Sequence, residues 1–213
     1  MATRPIWARS RLELIAMVSL LALGGAARAA DFSADFTEKT GPVAKSGKVY
    51  VKGLKVMREE TQGRQRHATI IRMDKKLVWI LNPADKTYME IAGAGKEAAA
   101  MSSDPKALAA LKRLGERKRV GTETVNGYVC DKYAFIYRDK SMGTQYQWVS
   151  TRLKVPIRIE HKSPRFSMLI EYKNIKEGKV ADSIFEIPKG YRKVSVPGLG
   201  GMRGMPGMPG RPK

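Results

Sequence analysis

From Phe32 onwards the chain is written as short alternations of apolar and polar residues cut by turn residues, and this rhythm limits the fold more than any other feature. Lys48-Val49-Tyr50-Val51-Lys52 alternates with period two, Gly53 interrupts, and Leu54 to Glu59 resumes. Side chains two apart share one face of a strand, so such a run reads as a half-buried strand. Ala68 to Met73 is β-branched and apolar. Leu77-Val78-Trp79-Ile80-Leu81 is apolar at every position, the loop Asn82 to Lys86 follows, and Thr87 to Ile91 returns as its partner. Later strands are predicted from Arg119, over Tyr128 to Tyr137, Thr144 to Ser150, Val155 to Glu160 and Phe166 to Lys173, with a last short element over Ser183 to Ile187. Asn126-Gly127 is the strongest hairpin signal, because both residues accept the positive φ that a tight two-residue turn needs. Short strands with regular turn signals predict a meandering antiparallel sheet.

The middle of the chain departs from this rhythm. Asp104-Pro105 is a helix start, with Asp to cap free amides and Pro suited to the first turn. Leu108, Leu111 and Leu114 make one apolar face, and Gly115 can end the helix, which is predicted over about residues 96–114. Such a helix must bury its leucines against the sheet, either closing the core or acting as a movable lid. From residue 196 the chain turns to Gly, Pro and Met, too poor in apolar density to fold, and residues 196–213 are expected to be a disordered tail. Met202, Met205 and Met208 recur there every third residue. Thioethers suit Cu(I), but no histidine or cysteine joins them, and the triplet reads as a compositional repeat.

The first residues read as a cleavable signal peptide. Arg4, Arg9 and Arg11 precede an apolar run, Leu14 to Ala27, and Ala27-Arg28-Ala29 offers small side chains at the two positions a signal peptidase reads. A spanning helix needs ~20 apolar residues, more than this run has. The expected organisation is residues 1–29 as signal peptide, 30–195 as one β domain and 196–213 as tail. Cleavage takes four arginines and one glutamate from a chain of formal net charge +20, leaving +17. So positive a chain suits an anionic partner, or simply carries a solvated basic surface. Export argues against nucleic acid and for lipid head groups or acidic proteins. Cys130 is the single cysteine, so no internal disulfide forms, and the thiol is read as a small buried hydrophobe.

No motif for catalysis stands out. His67 follows Arg64-Gln65-Arg66 and His161 precedes Lys162, so both are read as exposed strand ends. No Cys/His cluster has zinc spacing and no phosphate loop is present. The expectation is a binding protein without catalytic residues, metal or cofactor.

An ordered series of strings carries a resemblance. It runs through Lys55-Val56-Met57-Arg58, Ile70-Ile71-Arg72-Met73-Asp74, Trp79 with Asn82-Pro83, and Lys86-Thr87-Tyr88. It continues through Gly121 to Tyr128, Cys130-Asp131-Lys132-Tyr133, Trp148-Val149-Ser150, Val155-Pro156-Ile157-Arg158 and Phe185 to Tyr191. Over about residues 32–194 the chain resembles the LolA-like group of bacterial envelope proteins, in particular a periplasmic branch related to the outer-membrane lipoprotein carriers. The resemblance implies a mainly β fold: one curved antiparallel sheet, an unclosed barrel, with one or two helices over its concave face. It also implies a periplasmic location and a hydrophobic pocket that holds lipid or the acyl chain of an acylated protein. The Arg-Pro strand motif of the lipoprotein carriers has no clear counterpart; Lys52-Gly53 falls near its place. The expected pocket lining is Leu77, Trp79, Trp148, Phe166, Met168 and Tyr172, with Leu108 and Leu111 of the helix above. The alternative is a basic envelope module without a pocket that docks on an acidic envelope protein or an anionic membrane surface. N-terminal sequencing of protein recovered from the cell envelope is expected to begin at Ala30; a chain still beginning at Met1 or Ala2 contradicts the export reading.

Overall fold

A computed structural model describes residues 30–62, 65–92, 112–164 and 166–194. The described residues form two antiparallel meanders. The first runs β1 (Phe32–Thr40), β2 (Val43–Lys52), β3 (Lys55–Gln62), β4 (Gln65–Arg72), β5 (Leu77–Asn82) and β6 (Thr87–Ala92). The second runs β7 (Gly115–Val125), β8 (Tyr128–Tyr137), β9 (Thr144–Ser150), β10 (Pro156–Lys162) and β11 (Ser167–Glu177). A two-residue strand, β12 (Arg192–Lys193), pairs in parallel with β6. The sheet order is β12-β6-β5-β4-β3-β2-β1-β11-β10-β9-β8-β7, so the meanders meet where β1 pairs with β11. Sequence neighbours β6 and β7 lie far apart, β7 at one edge and β6 next to β12 at the other, and the barrel is not closed. This is the open LolA-like sheet that the resemblance implies.

The turns follow the sequence. Gly41 and Gly53 take positive φ in the β1–β2 and β2–β3 turns. Asn126 and Gly127, at φ 49° and 82°, make the predicted two-residue hairpin between β7 and β8. Of the predicted helix only residues 112–114 are described; they are helical, and Gly115 begins β7. Leu108 and Leu111 lie outside the described residues, as do the signal peptide and the tail. One element is corrected. Ser183 to Ile187 is not a strand: Asp182–Phe185 form a 3-10 turn and Glu186 after it is extended.

The core has two layers, one on each face of the sheet. The inner face carries Phe32, Ala34 and Phe36 of β1, joined by Val49 and Val51 of β2, Val56 of β3, Ile71 of β4 and Val78 of β5. Its cluster extends through Ile157, Ile159, Met168, Ile170 and Tyr172 of the second meander. The outer face carries Met57, Ile70, Trp79 and Leu81, and the segment after β11 covers it with Val180 and Phe185. This explains why Leu77 to Leu81 is apolar throughout: Val78 enters one layer, Trp79 and Leu81 the other.

Polar ties hold that C-terminal segment in place. Lys52 Nζ donates to the Val180 carbonyl at 3.1 Å, and Lys52 and Lys55 hold Asp182 at 2.8 and 2.7 Å. These two hydrogen bonds keep the Asp182 carboxyl down at about 2. Buried Arg72 bonds Asp74 through Nε at 2.9 Å and Nη2 at 2.7 Å, and reaches Glu186 and the Phe185 carbonyl with Nη1. The Asp74 bonds, and then that to Glu186, raise the Arg72 pKa above its ordinary value. Phe185 itself has no exposed surface. Removing a fully buried aromatic costs about 3–5 kcal/mol. Phe185→Ala is therefore expected to lower unfolding stability in urea by about that amount; a change within experimental error would show that the segment is not integral to the domain.

Candidate functional site

The inner face between β1 and β7 is built in register across six strands. One row runs Thr40, Met168, His161, Gln145, Phe135, Arg117. The next runs Glu38, Ile170, Ile159, Gln147, Tyr133, Arg119. Residues directly opposite on neighbouring strands share a face, so each row is a line of side chains on one surface.

Four rings follow one another there. Phe135 meets Tyr137 edge-on at 4.9 Å between centroids, Tyr137 meets His161 at 5.8 Å, and His161 meets Phe166 at 5.5 Å. Phe166 is 39% exposed at the end of this line. Burial raises the Tyr137 phenol pKa. It lowers that of His161, against a smaller opposing effect of its hydrogen bond with the Met142 backbone.

Towards β3 the face becomes ionic. Gly47 of β2 stands between Phe36 and Glu60 in the register. Arg58 lays its guanidinium 3.8 Å from the Phe36 ring centroid, pairs with Glu38, and approaches Glu60 at 3.5 Å. A Cβ on Gly47 would collide with the Glu59 carbonyl, so only glycine permits this approach of β2 to β3. Tyr172 lies beside this group, and burial pushes its phenol up to about 12.

The residues expected to line a pocket are distributed as follows. Met168 and Tyr172 stand on the inner face, and Phe166 joins it through His161. Leu77 and Trp79 belong to the outer layer beneath the C-terminal segment, with the Trp79 Nε1 donating to Glu90 at 3.0 Å. Trp148 is consecutive with Gln147 and shares its register position with Lys132 and Arg158, each 4.7 Å from its ring. Its Nε1 donates to Glu123 at 2.6 Å, and 3% of the residue is exposed. The two histidines are corrected: both are buried, His67 on β4 and His161 on β10. Their basic neighbours misled because in a strand the flanking residues point the other way; Lys162 is exposed while His161 is not. Cys130 is fully buried as expected, and burial pushes its thiol up to about 11.

A concavity lies at the junction of β2, β1 and β11, with a volume of about 490 Å³. Ser33, Asp35, Lys48, Tyr50, Asn174 and Lys176 line it, beside a bulge where Asn174 takes positive φ and donates to Asp35 at 2.8 Å. That bond, with Lys48, lowers the Asp35 carboxyl pKa. None of the described residues expected to bind ligand lines this groove. Among the described residues no group of three or more His, Cys, Asp or Glu side chains is placed to hold a metal ion, and no helix is long and apolar enough to cross a membrane.

The buried His161 gives the site a pH signature. With its pKa below the ordinary 6.5, the unfolded chain takes up this proton before the folded one. The contribution is absent above 6.5 and turns against folding as the pH falls through and below that value. Stability is expected to decline in that range, and His161→Phe to flatten the decline relative to wild type. Urea unfolding as a function of pH checks this; parallel curves for the two proteins would refute it.

The family described as "Domain of unknown function (DUF4412)" matches residues 42–154. No curated protein matches the sequence. Among solved structures, the fold is similar to that of an uncharacterized conserved protein from Thermus thermophilus. That alignment has TM-score 0.56 and 11% identity, and covers 87% of this chain and 99% of that one. It is also similar to Pseudomonas aeruginosa MucB, solved with MucA, at TM-score 0.55 and 14% identity over 86% of this chain and 64% of that one. The chain thus spans less than two thirds of MucB. A LolA superfamily protein from Nitrosomonas europaea aligns at TM-score 0.39 and 11% identity, over 81% of this chain and 97% of its own. At such identities the likeness is one of fold. The family match spans more than half of the chain, from the start of the β1–β2 turn to the β9–β10 turn, and the chain belongs to the DUF4412 family.

Proposed function

We propose that this chain is an exported, periplasmic binding protein that holds the apolar part of a lipid or an acylated protein against the inner face of its open sheet. The observation that carries this reading is the line of rings Phe135, Tyr137, His161 and Phe166, which begins in the core and ends at the surface on Phe166. Aromatic rings offer large apolar area with little geometric demand, which suits a flexible alkyl chain. Met168, directly opposite His161, continues the surface. Trp79 and Trp148 support the reading only indirectly, as the packing that holds β5 and β9 in place. MucB, a protein of similar fold, is solved as a complex with MucA, so a protein partner is compatible with such a sheet.

The basic balance of the chain favours a second reading, docking on an acidic protein or an anionic membrane surface. Salt separates the two. Apolar burial does not depend on ionic strength, whereas attraction between exposed charges fades as the Debye length shrinks from ~30 Å at 0.01 M to ~8 Å at 0.15 M. The purified exported chain is expected to bind a lipophilic dye at both salt concentrations and to release it to fatty acid or phospholipid. Phe166→Asp, at an exposed position, is expected to weaken dye binding by about tenfold, with the urea midpoint of the variant measured alongside. A folded wild type that takes up no dye, yet binds anionic vesicles, would establish docking as the better account.

A further inference from the structure

Gln147 lies in the middle of the inner face, 2% exposed, and neither its amide nitrogen nor its carbonyl oxygen has a hydrogen-bond partner. A buried amide is costly unless it is hydrogen-bonded, and native structures rarely leave both ends of one unmet. Its register partners are apolar Ile159 on one side and half-buried Tyr133 on the other.

Arg117 of edge strand β7 stacks its guanidinium 3.5 Å from the centroid of that same Tyr133 ring. Its Nε is buried without a partner. The neighbouring cations are neutralised locally, Lys118 by Glu116 and Arg119 by Asp131, but no carboxylate pairs with Arg117 among the described residues. Loss of hydration draws its pKa below the ordinary arginine value, and the group stays charged at neutral pH. A partly dehydrated guanidinium and an unmatched amide thus flank one tyrosine. Phe135, directly opposite Arg117, begins the line of rings.

We propose that Arg117, Gln147 and Tyr133 form a head-group site for an anionic amphiphile, with a carboxylate or phosphate monoester head held there and its alkyl chain laid along Phe135, His161 and Phe166. The proposal rests on the inner face being the ligand surface and adds the chemical class of the ligand. Guanidinium and amide N–H groups both donate to an anionic oxygen, and such charge-assisted bonds are the strong ones. The alkyl chain then continues from the polar group onto apolar rings, as the order of side chains along the face requires.

Calorimetry on the exported chain with dodecanoate, dodecyl phosphate and dodecanol separates the contributions. One or both anions are expected to bind at least tenfold more tightly than the alcohol, and the better of the two identifies the head. Arg117→Met is expected to erase this preference by lowering anion affinity far more than dodecanol affinity, and Arg117→Lys to retain part of it. Gln147→Leu removes an unmet buried amide, so it is expected to leave the melting temperature unchanged or raised while anion affinity falls. A purely structural glutamine would instead lower the melting temperature and spare the preference. Equal binding of anion and alcohol by wild type, or a preference surviving Arg117→Met, overturns the head-group site and leaves the apolar surface intact. Binding of none of the three by a folded protein overturns both.

Discussion

Strand β1 is hydrogen-bonded along both edges, to β2 on one side and to β11 on the other, and its pairing with β11 is what joins the two meanders into one sheet. The remaining strand pairs, apart from the short β12 contact, are hairpin neighbours that form locally. The β1–β11 pair closes a loop of more than a hundred residues, so the loss of chain entropy falls on this single junction. The inner layer repays it. Phe32 and Phe36 are buried at the junction, and Tyr172 stands directly opposite Phe36 with its ring 6.4 Å from that of Phe32. With Cys130 alone and buried, no covalent link shares the task.

Near this junction the inner face carries ions where an ordinary core would carry only hydrocarbon. Arg58 pairs with Glu38 and approaches Glu60, and the stacked Phe36 ring shields the guanidinium. Buried pairs of this kind add little net stability but fix geometry, because breaking one leaves an uncompensated charge. The face is therefore graded: ion-paired towards β3, apolar across β10 and β11, and polar without a carboxylate at Gln147 and Arg117. The two polar zones differ in charge balance: Arg58 has carboxylates beside it, and among the described residues Arg117 has none.

Much of the sheet was legible because strand and turn signals agreed. Asn126-Gly127 fixed a hairpin by itself, and Tyr128 to Tyr137 appears with the predicted ends. The early part of β2 was missed because Lys45-Ser46-Gly47 has no apolar residue to mark a period; it is held by pairing with β1 and β3. Strand β12 consists of two exposed cations placed only by β6. The site was harder to read. In β9, Tyr146 and Trp148 alternate with Gln145 and Gln147, and the aromatic pair looks like the core-facing set. The sheet buries both sides of this strand: the tryptophan is held between two cations, and the glutamines turn to the inner face. Which set faces inward is decided by the registers with β8 and β10, which no single strand reveals. Leu77 and Trp79 belong to one core cluster and Trp148, Met168 and Tyr172 to the other: apolarity alone does not say in which layer of a sheet a residue falls.

The order of strands also has a consequence for the sequence of events during synthesis. Strand β1 is made among the first and meets its second partner among the last. Until residues 167–193 have emerged, one whole edge of β1 presents open N–H and C=O groups, and Trp79, Leu81 and Ile70 stand without the cover that Phe185 later provides. A nascent chain of this design displays a long unpaired edge and a bare apolar face for most of its time in transit, the two features that other unfolded chains capture most readily. Pairing of β11 with β1 closes the edge, and the arrival of Phe185 then covers the apolar face.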